Sequence, residues 1–344
     1  MTEHSQANQS QPPVARKMGQ FRKLLMGGYR IDPLDQGVER WYFGHPRRNS
    51  FFNAMLVGPS SRFYFVSSVI THELDGSLVA SSWLGGMQSS PAGLIPDPRY
   101  VPMSGLVQYN ATSDGSIEYS TSAERFGYDA TTFFWSSPDQ AIDLAGTLCG
   151  NGGQWLLPSR DNDGLSHLMF YHQQAYRVEG HYLGEAVSGH VLLEMMWGNN
   201  DYGRSWWMRN RVGHFGLFAI NYADGSSEFG QILCGSQGDL GAVAVNDDGI
   251  ETLNTGRVVA LPDGDGNMIY RLGDEEWRFV TDPSHMLELP AFDTRLQIGH
   301  TSRIAETRSI SSGHAIMIAP GGARGELPVT VPEMVSSGQV PPPR

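Results

Sequence analysis

Residues 190–202 read HVLLEMMWGNNDY, and one carboxylate, Glu194, stands in the middle of an apolar run. Leu192 and Leu193 precede it; Met195, Met196 and Trp197 follow. On a strand, side chains alternate, so His190, Leu192, Glu194 and Met196 share one face and Val191, Leu193, Met195 and Trp197 the other. Both faces are apolar, the pattern of a strand covered on both sides. One face would pack outward against a helix or a second domain, and one would line a barrel interior. Desolvation disfavours the charged form of a carboxyl. The placement therefore predicts an acid that keeps its proton near neutral pH and delivers it as a general acid. A structural reading stands beside it: a buried glutamate paired with Arg204, Arg209 or Arg211. The spacing alone leaves both open.

A second cluster lies at residues 38–58, VERWYFGHPRRNSFFNAMLVG. On a strand, Glu39, Trp41 and Phe43 share one face and Arg40 and Tyr42 the other. The plain reading is a half-buried strand with an amphipathic edge. The functional reading is a carboxylate among aromatics at a barrel mouth, where it would contact a ligand. His45, just beyond, could carry a proton, although a loop histidine is more often simply solvated. After Glu194 the segment NNDYGRSWW adds Tyr202, Trp206 and Trp207.

Other chemistries lack their residues. The chain has no phosphate-cradling Gly-rich loop and no dinucleotide fingerprint; GGMQSS and GGARG are too loose to count. No His-Glu-x-x-His occurs, and the eleven histidines show no metal-ligand spacing. GPSSR and VSSVI lack the glycines of a serine nucleophile elbow. The expectation is a protein without metal or organic cofactor. A net charge of -12 with no long basic block argues against nucleic acid as a partner. No run of about 18 apolar residues predicts a membrane span. The polar start shows no export signal. The two cysteines, Cys149 and Cys234, form no disulfide framework and fit a cytoplasmic setting. Nothing in the sequence indicates an oligomeric state.

The elements that would carry these residues are strands. Asp-Gly pairs at 75–76, 114–115, 224–225 and 248–249 each lie between alternating segments. Such pairs mark hairpins, because both central positions of the turn need positive φ. Four of them predict an antiparallel meander, which closes most simply as barrels. The segment VARKMGQFRKLLMGG predicts one short helix over 14–27, closing at Gly27 and Gly28. No other helix-length segments alternate with the strands, so a parallel α/β sheet is not expected. The Gly- and Asn-rich stretch 150–166 reads as a loop near a domain junction. The expected organisation is a polar tail over 1–13, one barrel over 14–180, a second over 181–325 and a Pro-rich tail over 326–344.

VSGHVLLEMMWGNNDYGRSWW followed by FGLFAINYADGSSEFGQI resembles the central segment of the carotenoid 1,2-hydratase and AttH-like group of lipocalin-related proteins. The same broad group includes kievitone hydratase and lipocalin-like fungal Diels-Alderases. Gly189, Trp197, Gly198 and the Asp224-Gly225 hairpin match that order, and VERWYFGHP resembles the group's N-terminal Trp-Tyr-Phe strand. In layout the resemblance covers most of residues 35–320. It implies an all-β chain of two lipocalin-like antiparallel barrels, without metal or organic cofactor. It also implies a hydrophobic ligand in the N-terminal barrel or between the barrels. One departure bears on chemistry: the group's Asp-His pair is here Glu194-Met195. Proton transfer then falls to Glu194, or to a partner from another strand such as His45, His172 or Tyr202. The expected activity is cofactor-independent hydration, dehydration, isomerisation or cyclisation of an isoprenoid or polyketide-like small molecule. Glu194 would be the acid/base, with Glu39, His45 and Tyr202 as further candidates. Trp41, Tyr42, Met196, Trp197, Trp206 and Trp207 would wall the cavity. A lipid or terpenoid carrier without chemistry, and a pericyclase acting by shape and one hydrogen-bond donor, are the alternatives.

Overall fold

The computed structural model describes residues 28–29, 41–42, 45–73, 77–97, 99, 105–112, 116–149, 152–160, 166–198, 212–235, 242–246, 251–254, 258–263, 265, 267–272, 274–289, 294–304 and 307–320. Among these, every regular element is a strand. The helix expected over 14–27 lies outside the described residues, and no described helix is long and apolar enough to cross a membrane.

The first sheet is built from β1 (Gly28–Tyr29), β2 (Trp41–Tyr42), β3 (His45–Val57), β4 (Phe63–His72), β5 (Leu78–Ser90), β6 (Gly93–Pro96), β7 (Gly105–Leu106), β8 (Gln108–Ala111), β9 (Ile117–Ser120), β10 (Arg125–Tyr128), β11 (Thr132–Ser136), β12 (Ile142–Leu148), β13 (Gly152–Arg160), β14 (Ser166–Tyr182) and β15 (Glu185–Gly198). The second holds β16 (Val212–Tyr222), β17 (Ser227–Gly235), β18 (Ala242–Asn246), β19 (Glu251–Asn254), β20 (Val258–Pro262), β21 (Met268–Leu272), β22 (Glu275–Leu289), β23 (Thr294–Ile304) and β24 (Ile310–Pro320). All pairings are antiparallel. The main path of the first sheet runs β6-β5-β4-β3-β15-β14-β12-β11-β10-β9-β8, and the second runs β19-β18-β17-β16-β24-β23-β22-β21-β20. The protein is thus all-β, with two antiparallel sheets that each curl into a half-barrel. The change of sheet falls between Gly198 and Val212. β14 and β15 form one long hairpin, paired from Met169–Gly198 to Tyr182–Glu185.

The Asp-Gly signals sit where antiparallel neighbours meet: β4 with β5, β8 with β9, β16 with β17 and β18 with β19. The described turn shows the chemistry. Gly225 has φ +90°, which a side chain would oppose, and Asp224 accepts the backbone N–H of Ser226 at 2.9 Å.

Each sheet closes over its own core. In the first, Phe52 on β3 meets Phe126 on β10 at 4.2 Å between ring centroids and Tyr119 on β9 at 6.0 Å. These strands stand far apart in the sheet, so the contact measures its curl. In the second, Phe218 on β16 meets Trp277 and Phe279 on β22. The sheets also pack on each other. Strand β4, FYFVSSVITH, is buried at all ten positions. Its Tyr64, Val66 and Ile70 belong to the first core. Phe63, on the other face, lies against His314 and His285 of the second sheet at 5.2 and 6.1 Å. Gly189, one of the positions that carried the resemblance, is needed at this join of β15 and β3. A Cβ there would stand 1.9 Å from the Met55 carbonyl oxygen.

Candidate functional site

Strand β15 is buried on both faces, and the register separates their roles. Val191, Leu193, Met195 and Trp197 belong to the core of the first sheet. His190, Leu192, Glu194 and Met196 face the second sheet. Glu194 therefore lies between the two sheets. Period-2 alternation could not decide this, since both faces of the segment are equally apolar.

Glu194 is 2% exposed. Asn53 Nδ2 on β3 donates to its Oε2 at 3.1 Å, and Gln231 Nε2 on β17 donates to its Oε1 at 3.0 Å. Asn53 is oriented in turn by Ser67 on β4, whose hydroxyl donates to Asn53 Oδ1 at 3.0 Å. A line of side chains thus runs Ser67, Asn53, Glu194, Gln231 across three adjacent strands and over to the other sheet. In register, Phe51 on β3 and Gln173 on β14 stand directly beside Glu194. Leu192 and Met196 flank it along its own strand, and all four neighbours are buried.

Four residues along β15, His190 Nε2 lies 3.1 Å from Asn221 Oδ1 on β16. Burial, with the neighbouring His314, pulls the His190 imidazole down to about 3. Burial, with His300 beside it, pulls His314 down to about 4. Both rings are neutral at physiological pH. His172 is also brought down to about 4 by burial. Its register partner is Met195, on the face opposite Glu194. The sheet therefore separates His172 from Glu194, and it does not serve as the partner that the resemblance allowed.

The remaining expected site residues divide between those seen only in backbone and those beyond the described residues. Trp41 and Tyr42 form β2 and pair with Pro46 and His45 at the start of β3; only their backbone course is described. Glu39, Tyr202, Trp206 and Trp207 lie outside the described residues, as do Arg204, Arg209 and Arg211. Met196 shares the face of Glu194. Trp197 does not: it points into the first core, under the guanidinium of Arg47 at 5.4 Å.

Arg47 marks a polar end of that core which the sequence reading missed. Met196 pairs with Asn49 but Trp197 with Arg47, so β3 carries one extra residue there. Such a bulge turns the following side chain to the other face. Arg47 enters the core at 2% exposure and donates to Tyr128 Oη at 3.3 Å. Burial pushes the Tyr119 and Tyr128 phenols up, so both stay neutral. The sequence offered a signal, two arginines inside the strand HPRRNSFF, but only the bulge decides which one turns inward. Among the described residues no group of three or more His, Cys, Asp or Glu side chains is placed to hold a metal ion.

No family model matches the chain, and no curated protein matches it in sequence. Solved structures do match in shape. An AttH-like protein from Nitrosomonas europaea has a TM-score of 0.45 at 14% identity, covering 80% of this chain and 93% of that one. Kievitone hydratase from Nectria haematococca has a TM-score of 0.46 at 8% identity, covering 86% and 97%. A protein named CghA has a TM-score of 0.37 at 10% identity, covering 80% and 89%. Two of them carry names, AttH and kievitone hydratase, from the group that the sequence segments resemble.

Proposed function

We propose that this chain is an enzyme that moves a proton at a carbon centre of a hydrophobic small molecule held between the two sheets. Glu194 is the acid/base, and the reaction is a hydration, dehydration, isomerisation or cyclisation. One observation carries the reading: a buried carboxyl among Leu192, Met196 and Phe51 is gripped on each oxygen by a neutral amide, one from each sheet.

The chemistry follows from the partners. Asn53 and Gln231 carry amides, which do not exchange protons in the working pH range, so of these three groups only the carboxyl can give or take one. Delivering its proton to a substrate carbon leaves a carboxylate, and two N–H donors already aimed at its oxygens stabilise that charge without reorganisation. The positive charge that develops on the substrate faces the Phe51 ring beside Glu194. Taking a proton from the neighbouring carbon, or from water adding to it, restores the acid. The first outcome is isomerisation or cyclisation and the second is hydration; dehydration is the reverse of hydration, the acid protonating the hydroxyl that departs as water and the carboxylate then taking a proton from the neighbouring carbon.

The test begins with the molecule that co-purifies with the protein, identified by native mass spectrometry. With it, Glu194→Gln should keep the fold, because the amide is nearly isosteric. Ligand binding should persist while turnover falls by a factor on the order of 10² to 10⁴. A carrier predicts equal affinity and no turnover in either form. Full activity in a folded Glu194→Gln protein would sink the assignment.

A further inference from the structure

Gln173 stands directly across from Glu194 in the β14–β15 pairing, so both side chains leave the sheet on the same face, toward the second sheet. It is 1% exposed, and among the described residues neither its Nε2 nor its Oε1 has a hydrogen-bond partner. Asn53, Gln174 and Asn221 are used at both ends. Asn53 donates to Glu194 and accepts from Ser67. Gln174 donates to Tyr176 and pairs with His172 Nε2. Asn221 donates to Ser312 and accepts from Ser227. A primary amide buried without partners opposes folding. Gln231, the other amide at the acid, is engaged through its Nε2, whereas Gln173 is engaged at neither end among the described residues.

We propose that Gln173 is the specificity contact of the Glu194 site and that the substrate is oxygenated. The inference rests on the acid/base reading of Glu194 and narrows it. The substrate carries a carbonyl or hydroxyl oxygen near the carbon at which Glu194 transfers its proton. A carbonyl accepts from Gln173 Nε2; a hydroxyl accepts from Nε2 or donates to Oε1. Side chains directly opposite in an antiparallel pair have Cβ atoms about 5 Å apart. The oxygen therefore lies within roughly two or three bonds of the reacting carbon. A pure hydrocarbon of the same shape leaves the amide unmet. Sites built to hydrogen-bond a polar group discriminate against such analogues far more strongly than apolar pockets discriminate by size.

The experiment measures binding of 1-tetralone, 1-tetralol and tetralin to the full chain by calorimetry. The three probes share one ring skeleton and carry a carbonyl, a hydroxyl or neither. At least one oxygenated probe should bind wild type about 10-fold or more tightly than tetralin. In Gln173→Leu the probes should converge to within about twofold, through weaker binding of the oxygenated ones. That variant should also melt at a higher temperature than wild type, since it removes the unmet amide. Should it fail to fold, Gln173→Met is read in the same way. Equal binding of the three probes, absence of binding, discrimination that survives in Gln173→Leu, or a lowered melting temperature overturns the proposal. Glu194→Gln separates the two readings. A fully active Glu194→Gln protein that still prefers the oxygenated probe refutes the acid/base role while leaving Gln173 as the specificity contact.

Discussion

Glu194 and Glu228 are both buried carboxylates on central strands, and they live in opposite company. Glu228 sits on β17 inside the second half-barrel with no exposure. Tyr222 Oη donates to it at 3.0 Å, Trp277 Nε1 at 2.7 Å, and Arg303 closes an ion pair at 3.2 Å. Arg303 also pairs with Glu275 at the rim. Three donors, one of them a permanent cation, occupy both Glu228 oxygens. Glu194, between the sheets, is held by the amides of Asn53 and Gln231. Burial is common to both, so burial alone does not mark a working acid. The first half-barrel repeats the structural solution: Trp135 Nε1 donates at 3.0 Å to Glu124, which is 1% exposed. Each core thus anchors a tryptophan N–H on a buried glutamate, and the inter-sheet layer holds a glutamate gripped by two amides instead.

The contrast can be broken by the matched pair Glu194→Gln and Glu228→Gln. The first should cost the 10² to 10⁴ in turnover given above, with little change in melting temperature. The second should do the reverse. Replacing Glu228 leaves Arg303 facing a neutral amide inside a half-barrel and should destabilise by about 3 kcal/mol, with turnover per folded molecule unchanged. Denaturant titration of both variants beside activity assays decides it; a shared profile would mean that the two glutamates play one role.

Buried imidazoles, His190 and His314 in the inter-sheet layer and His172 on the other face of the first sheet, should make stability respond to acid. His190 and His314 have folded pKa values lowered to about 3 and about 4, against about 6.5 in an unfolded chain. Between these limits the unfolded state binds more protons, so stability is full above pH 6.5 and declines as pH falls toward 4. Paired Asp residues held low by turn hydrogen bonds, such as Asp129 and Asp224, add their own loss only below that window. Melting temperature followed from pH 7 to 4 should drop, and His314→Gln should flatten the curve. An unchanged slope in that variant would remove His314 from the account.

The smallest effect concerns the tryptophan anchors. Trp135→Phe keeps the ring volume roughly and deletes one hydrogen bond to Glu124, which should lower stability by about 1 to 3 kcal/mol without touching ligand binding. A change in ligand affinity would mean that the first core and the inter-sheet site are coupled.

Much of this architecture is written locally. The Asp-Gly pairs place hairpins because turn geometry depends on a few adjacent residues. The composition of FYFVSSVITH declares a strand covered on both sides, and the alternation of HVLLEMMWG sorts Glu194 and Leu193 to opposite faces before any fold is known. Tertiary structure decided the rest. A two-residue period says which side chains share a face but not which face meets which layer. Only sheet packing put Glu194 between the sheets and Trp197 in the first core. The amides that grip Glu194 come from positions 141 residues earlier and 37 later, and no local pattern links them. One inserted residue in β3 reversed the direction of Arg47, and the alternation that holds elsewhere in the strand misses it. Gln173 reads in sequence as one polar residue among several in YHQQAYR. The pairing of β14 with β15 gives it a neighbour, and burial under a second sheet turns its amide from a solvated group into one that requires a partner.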